Sequence, residues 1–368
     1  MMPGSPQAPR LLVIPVSGAY GMGEYARSLA IARAVSARWP AARVHFALSR
    51  DAPYAAGALF ETTLMPSSPT FHSPAVIELI ERFRPTVVLF DNAGRTAQLR
   101  AAKRIGAKVV YISARKRQRN KAFRLVWMKL IDEHWIAYPE FIAGSLGLVE
   151  RLKLRLVGRP IVRYLDVVLP PTDPERQRAL LSRLGLNRGS FVLIVPGGGT
   201  GHPGAADAVA RFHAAGVALA ASGEPTVFIG SSVAGGATAD PQLRMLQSLA
   251  QAELAELMRA ARLIVANGGS TLLQGIACGT ATLAIPIAGD QAKRIRRVVA
   301  AGVCTRALLD AGDIVRHARD LLQDEPARAA LAARAAGLGL ADGIAMAVDA
   351  LERLQANQPH QHKVRVRG

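Results

Sequence analysis

From Leu263 to Gln291 the chain reads LIVANGGSTLLQGIACGTATLAIPIAGDQ, and this run restricts the fold more than any other. An apolar strand, Leu263–Ala266, breaks at Asn267-Gly268-Gly269-Ser270-Thr271 into a helical stretch to Ala277. Cys278-Gly279 closes the helix, and a second apolar strand, Ala281–Pro286, ends near Asp290-Gln291. Glycine lets backbone N–H groups approach a ligand, and Ser270 or Thr271 can cap the helix. The free N–H groups and positive dipole end of such a helix start suit an anion. A capped helix of any α/β sheet would carry the same signature, so the rest of the chain has to decide between the two.

Apolar β-type runs alternate with helical patterns throughout. Leu11–Val16 precedes a helix from Glu24 to Arg38, Val44–Leu48 follows, and Ser73-Pro74 opens a helix through Phe83. Thr86–Asp91, Lys108–Ile112 and Glu133–Ala137 continue the strand series. Alternation of this kind implies parallel sheets covered by helices on both faces. Around Asp166–Glu175 paired prolines and acidic turn residues mark a linker. The pattern then restarts with strand Phe191–Pro196, a loop Gly197-Gly198-Gly199 and a helix from about Gly204. Strand Thr226–Ile229 and helix Glu253–Ala260 lead into the opening run, and Asp310–Leu354 reads as helical. The expectation is two doubly wound domains, residues 1–168 and 169–355, with 356–368 a disordered tail.

Composition limits what such a chain can be. At 368 residues it exceeds the usual size of a single core. No apolar stretch approaches the ~20 residues of a membrane-spanning helix. The start, with Pro15 inside its apolar core, suits a first strand better than a secretion signal. Two cysteines, Cys278 and Cys304, support neither a disulfide scaffold nor a four-ligand zinc site, and suit a reducing cytoplasm. The net charge of +19 favours anionic partners.

Open α/β sheets bind ligands beyond the carboxyl ends of their strands, where the glycine loops lie. In the second half Gly197–Thr200, with Gly198 and Gly199, Gly230-Ser231-Ser232 and Gly268–Thr271 converge on one sheet edge, an arrangement that fits a diphosphate. Strand, Gly-Gly-Ser-Thr, helix, Cys-Gly, apolar strand ending in Pro and then Asp-Gln resembles the nucleotide-sugar-binding half of GT-B glycosyltransferases, above all the family 28 group. That group includes the peptidoglycan N-acetylglucosaminyl transferase acting on lipid I. In the first half, the segment from Gly21 and Gly23 through Glu24 and Arg27 to Ala30 is similar to a G-x-G-H-x-x-R-x-L-x-L-A motif of the same superfamily. A nucleotide-sugar hydrolase of pseudaminic acid synthesis shares that motif.

The resemblance implies a GT-B fold, two facing Rossmann-like domains with a cleft between them, and a nucleotide-sugar donor, UDP-linked in this family. It implies that Ser270, Thr271 and the backbone of Gly197–Gly199 meet the diphosphate. Gln274, where the family has Glu, would contact the ribose, and Asp290-Gln291 the sugar. Arg294 stands where the family continues with Asn. Glu24 replaces the motif's His as the base, since a carboxylate does this work when burial raises its pKa. Asp91 is the alternative base, and Asn92 would orient the acceptor beside Gly21, Gly23 and Arg27. Arg27 or Arg294 could offset leaving-group charge. No Asp-x-Asp is present, which argues against a metal-chelating mechanism, and neither a metal nor a separate cofactor is expected. His202 follows the glycine loop and is read as a loop residue.

The segment RKRQRNKAFRLVWMKLI places Arg115, Lys116, Arg117, Arg119, Lys121, Arg124 and Lys129 before the first acid, Asp132, interleaved with Phe123 and Trp127. Such a pattern reads as a peripheral helix on an anionic membrane. The combined expectation is an inverting glycosyltransferase acting on a lipid-linked or envelope glycan acceptor, cytoplasmic and peripheral on the inner face of the plasma membrane. A nucleotide-sugar hydrolase or epimerase is the alternative. A nucleic-acid-binding protein fits the charge but lacks a recognised binding motif, and aromatic residues make up only 5% of the chain.

Overall fold

The computed structural model describes residues 8–19, 21–197, 207–230 and 240–356. Gly198, Gly199, Thr200, His202, the helix start near Gly204, Ser231, Ser232 and the tail beyond Ala356 therefore lie outside the described residues.

The first half runs β1 (Arg10–Pro15), α1 (Gly23–Arg38), β2 (Arg43–Ser49), β3 (Glu61–Met65), α2 (Ser73–Phe83), β4 (Val87–Asp91) and α3 (Thr96–Arg104). It continues with β5 (Lys108–Ser113), α4 (Lys116–Ala122), α5 (Leu125–Leu130), β6 (Glu133–Ile136), α6 (Glu140–Ala143), α7 (Leu148–Val157) and β7 (Ile161–Tyr164). The second half follows with α8 (Pro174–Leu184), β8 (Val192–Val195), α9 (Ala208–Ala221), β9 (Thr226–Ile229), β10 (Leu243–Leu246), α10 (Gln251–Ala260) and β11 (Leu263–Asn267). It ends with α11 (Ser270–Ala277), β12 (Thr282–Ile285), α12 (Gly289–Ala300), β13 (Thr305–Arg306), α13 (Ala311–Gln323), α14 (Glu325–Gly337) and α15 (Gly343–Ala356).

All strand pairs are parallel, in the orders β3-β2-β1-β4-β5-β6-β7 and β10-β9-β8-β11-β12-β13. Period-two alternation explains why the central strands are continuous apolar runs. Leu11 and Val13 enter the core on one face, Leu12 and Ile14 that on the other. In each sheet the order reverses beside the first strand, between β1 and β4 and between β8 and β11. Crevices at such switch points are where doubly wound sheets hold ligands.

The boundary expected at residue 355 needs correction. The helix α15 packs on the first domain, burying Ala347, Ala350, Leu351 and Leu354 against Val35 and Trp39. Gln355 Nε2 donates to Thr86 Oγ1 at 2.8 Å. The chain crosses back at Gly343, where a Cβ would stand 2.1 Å from the Leu165 carbonyl oxygen, so only glycine passes there.

Candidate active site

At the first switch point the β1–α1 loop lies beside the end of β4. Asp91, fully buried, accepts from Arg27 Nε at 2.9 Å and Nη2 at 2.6 Å, and from Ser28 Oγ at 3.2 Å. Burial pushes its carboxyl up to about 6 against the pull of Arg27. For Arg27, burial acts downward and Asp91 upward, and the net shift is upward. This corrects two expectations. Asp91 has no surface to offer an acceptor hydroxyl and is not a base, and Arg27 is committed to it rather than to a ligand.

Glu24 is different. It lies in the first turn of α1, half-buried, and its Oε1 accepts from Asn92 Nδ2 at 2.9 Å. Asn92 has a left-handed backbone, φ 53°, which Asn tolerates better than most residues. Its Oδ1 in turn accepts from Ala114 N at 2.8 Å. Asn92, expected to orient the acceptor, orients Glu24 instead. Gly21 and Gly23 lie in and at the end of the same loop.

At the second switch point amides do the holding. Asn267 Nδ2 donates to the Pro196 carbonyl at 2.6 Å, and its Oδ1 accepts from Gly269 N at 2.8 Å. One side chain thus ties the Gly197 loop to the Gly268–Thr271 loop. Gln291 Oε1 accepts from Gly268 N and Ile287 N, at 3.1 and 3.0 Å. A Cβ on Gly268 would come within 2.8 Å of Gln291 Cβ and Ile295 Cδ1. The helix cap is Gly269, not Ser270 or Thr271, which occupy the first turn of α11. Among the described residues nothing engages their N–H groups, so these are the donors left for an anion.

Other expected donor-site residues are placed less directly. The Gly230 N–H is taken by the Leu246 carbonyl at 2.8 Å, so this glycine continues the sheet and does not face a diphosphate. Gln274 Nε2 donates to the Val168 carbonyl at 2.9 Å, a bond to the linker that a Glu could not make. Gln291 is buried with its carbonyl oxygen spent on the loop, whereas Asp290 is exposed. Arg294 donates to the Gly268 carbonyl and stacks 4.5 Å from the Tyr138 ring centroid. It therefore fixes the loop against the first domain rather than facing a leaving group.

The two helix starts meet. A Cβ on Gly23 would stand 4.0 Å from Ser270 Oγ, so the residue before Glu24 faces the α11 start across the interdomain gap. Gly23, Arg27, Tyr138, Ser270 and Gln274 line that narrow space.

No family model matches the sequence, and no curated protein matches it. Solved structures do. The Arabidopsis thaliana UGT89C1 complexed with UDP superposes with a TM-score of 0.66 at 16% identity, over 95% of this chain and 100% of its own. CalG4, the calicheamicin glycosyltransferase, gives 0.61 at 16%, over 95% and 99%. A protein described as a UDP-N-acetylglucosamine 2-epimerase of Listeria monocytogenes gives 0.59 at 13%, over 94% and 95%. The fold is GT-B. At these identities the likeness establishes the architecture and leaves the chemistry to the site.

In this GT-B chain the basic segment divides into three parts and does not form one peripheral helix. Arg115 and Lys116 line the interdomain cleft. Arg119 is buried, paired with Glu150 at 2.6 Å and donating to the carbonyls of Ala143, Gly144 and Ser145. Lys121 donates to the Gly94 carbonyl at 2.8 Å, and burial with nearby Arg95, Arg124 and Arg117 pulls it down to about 8. Trp127 is buried, its Nε1 donating to Thr96 Oγ1. Arg119 and Trp127 are thus internal and Lys121 is half-buried on the Gly94 carbonyl, which corrects their expected docking role, while Arg117 and Arg124 stay exposed.

Two features escaped sequence reading. Asn267 could have been found as an Asn closing a strand before paired glycines. The helix α7, LVERLKLRLV, buries no residue and exposes Leu148 at 84%, Val149 at 65%, Leu152 at 57% and Leu156 at 76%. Their helical spacing puts them on one side, flanked by Arg151, Lys153 and Arg155. Leu125 and Val126 of the neighbouring α5 are also exposed. No helix among the described residues is long and apolar enough to cross a membrane.

Proposed function

We propose that this protein is an inverting, metal-independent glycosyltransferase that moves a sugar from a nucleoside diphosphate to a lipid-linked or envelope glycan acceptor at the inner face of the plasma membrane. The observation that carries this reading is the meeting of the two helix starts. It brings Gly23, the residue before Glu24, beside Ser270 at the start of α11, where the N–H groups of Ser270 and Thr271 have no partner among the described residues. The diphosphate sits on those N–H groups, with its sugar toward Asp290. Glu24 takes the proton of the acceptor hydroxyl as that oxygen attacks the anomeric carbon. The bond to the diphosphate breaks with inversion, and the α11 N-terminus stabilises the charge released. Asn92 aims Glu24, and the Arg27–Asp91 pair fixes the helix behind it. UDP is the first nucleotide to try, because the UGT89C1 structure holds it.

Hydrolases and epimerases share the superfamily, but an adjoining cleft of about 650 Å³ leaves room for a second substrate and favours transfer. The exposed leucines of α7, ringed by basic residues, favour an anionic bilayer over nucleic acid. Burying a leucine contributes about 1.5–3 kcal/mol and each nearby cation about 1 kcal/mol.

The test is release of nucleoside diphosphate from a panel of nucleotide sugars, with and without a membrane lipid extract. Release that requires the extract is expected; release into water alone indicates a hydrolase, and no release from any donor contradicts the reading. Flotation with phosphatidylglycerol vesicles checks the membrane surface. Leu148→Ser with Leu156→Ser should abolish retention, and retention unchanged would remove α7 from that role.

A further inference from the structure

The helices α4 and α12 face each other across the interdomain cleft of about 650 Å³. Its walls bring six cations, Arg115, Lys116, Arg119, Lys293, Arg294 and Arg297, around two carboxylates, Glu150 and Asp290. Both carboxylates are already paired, Glu150 with Arg119 at 2.6 Å and Asp290 with Arg294 at 3.4 Å. Arg115 and Lys116 from the first domain, and Lys293 and Arg297 from the second, have no acidic partner among the described residues. Arg297 donates to the Ile142 carbonyl, a bond that leaves its charge uncompensated. Like charges carried on two opposed walls repel, and a bound anion would remove that cost while drawing the walls together.

The place of the cleft indicates which substrate it would serve. Gly289 and Asp290 line it, and Tyr138 lines both the cleft and the gap where Gly23 faces Ser270. Arg294, stacked on Tyr138, stands between the cleft and the α11 N-terminus. The donor diphosphate and the cleft cations are therefore separate sites on either side of one stacked pair. We propose that the cleft binds an anionic group on the acceptor, phosphate or carboxylate, gripped by Arg115 and Lys116 from one domain and by Lys293 and Arg297 from the other. The word acceptor rests on the transferase reading; the anion site itself does not.

The test uses the full chain saturated with UDP, which keeps added anions from the α11 site. Glucose 1-phosphate, glucuronate and uncharged glucose are titrated at ionic strength held constant with sodium chloride. Saturable binding of one or both charged sugars, but not of glucose, is expected. Lys116→Ser with Lys293→Ser, both exposed positions, should weaken it by about tenfold or more while leaving UDP affinity unchanged. Binding of glucose 1-phosphate alone assigns a phosphoryl group, and of glucuronate alone a carboxylate. Glucose binding as tightly as the charged sugars, neither charged sugar binding, or equal binding by the double variant would overturn the proposal. If UDP itself fails to bind, the donor reading falls separately, and the comparison of wild type with the Lys116→Ser, Lys293→Ser variant still decides the cleft.

Discussion

The two switch points solve the same problem with opposite chemistry. In the first domain the loop is held by charge, the buried Arg27–Asp91 pair with Glu24 beside it. In the second it is held mainly by amides, Asn267 and Gln291 on the glycine loops and Gln274 on the linker, with the Arg294 guanidinium on the Gly268 carbonyl. Amides supply donors and acceptors without net charge, and the nearby carboxylate of Asp290 is paired with Arg294 at 3.4 Å. In the proposed transfer the first site has a proton to take, and with Asp91 paired to Arg27 that part falls to Glu24.

That contrast can be broken most sharply at Glu24. Glu24→Gln should lower kcat by roughly 10²–10⁴-fold while leaving UDP affinity unchanged, read from turnover beside calorimetry. Turnover that persists would return the base role to another group. Next in size, Arg27→Met strands a buried carboxylate and should cost about 3–5 kcal/mol near neutral pH, read by denaturant unfolding. Asp91 already stands above its ordinary value because of burial. Such a carboxyl carries stability that is present at low pH and lost as pH rises through its folded-state value. The Arg27→Met deficit should therefore be largest at pH 8 and shrink as the pH falls through about 6 toward 4; a deficit independent of pH would mean that Asp91 is not the stranded group.

The second domain is probed by two milder changes. Gly268→Ala drives a methyl into Gln291 and Ile295, costing about 1–3 kcal/mol of stability and displacing the α11 start. UDP affinity should fall with it, and kcat at saturating donor should fall less than in Glu24→Gln. The smallest effect belongs to Gln274→Glu, which loses the donor to Val168 and should cost about 1 kcal/mol in unfolding. Tighter donor binding with stability intact would instead make this residue a ribose ligand.

The sequence made the buried strands legible because parallel strands covered on both faces are uninterrupted apolar runs. It hid β3, β7, β10 and β13, and these are the edge strands of the two sheets, short and bearing charged or polar residues such as Glu61, Arg163, Arg244 and Arg306. The loops of the site were visible from their glycines. Which side chains serve a ligand and which serve each other was not. Asp91 and Glu24 both read as carboxylates at strand or helix ends, and only the structure shows one committed to Arg27 and the other held half-buried by Asn92. Arg119 likewise read as a surface cation, because Glu150, its partner, lies 31 residues away.

The division of labour between the halves is tested most directly by titrating UDP into the full chain, wild type against Gly268→Ala and Glu24→Gln. Saturable binding of one nucleotide per chain, kept by Glu24→Gln and lost or strongly weakened in Gly268→Ala, is the predicted result. Failure of the wild type to bind UDP, or equal binding by Gly268→Ala, would contradict it.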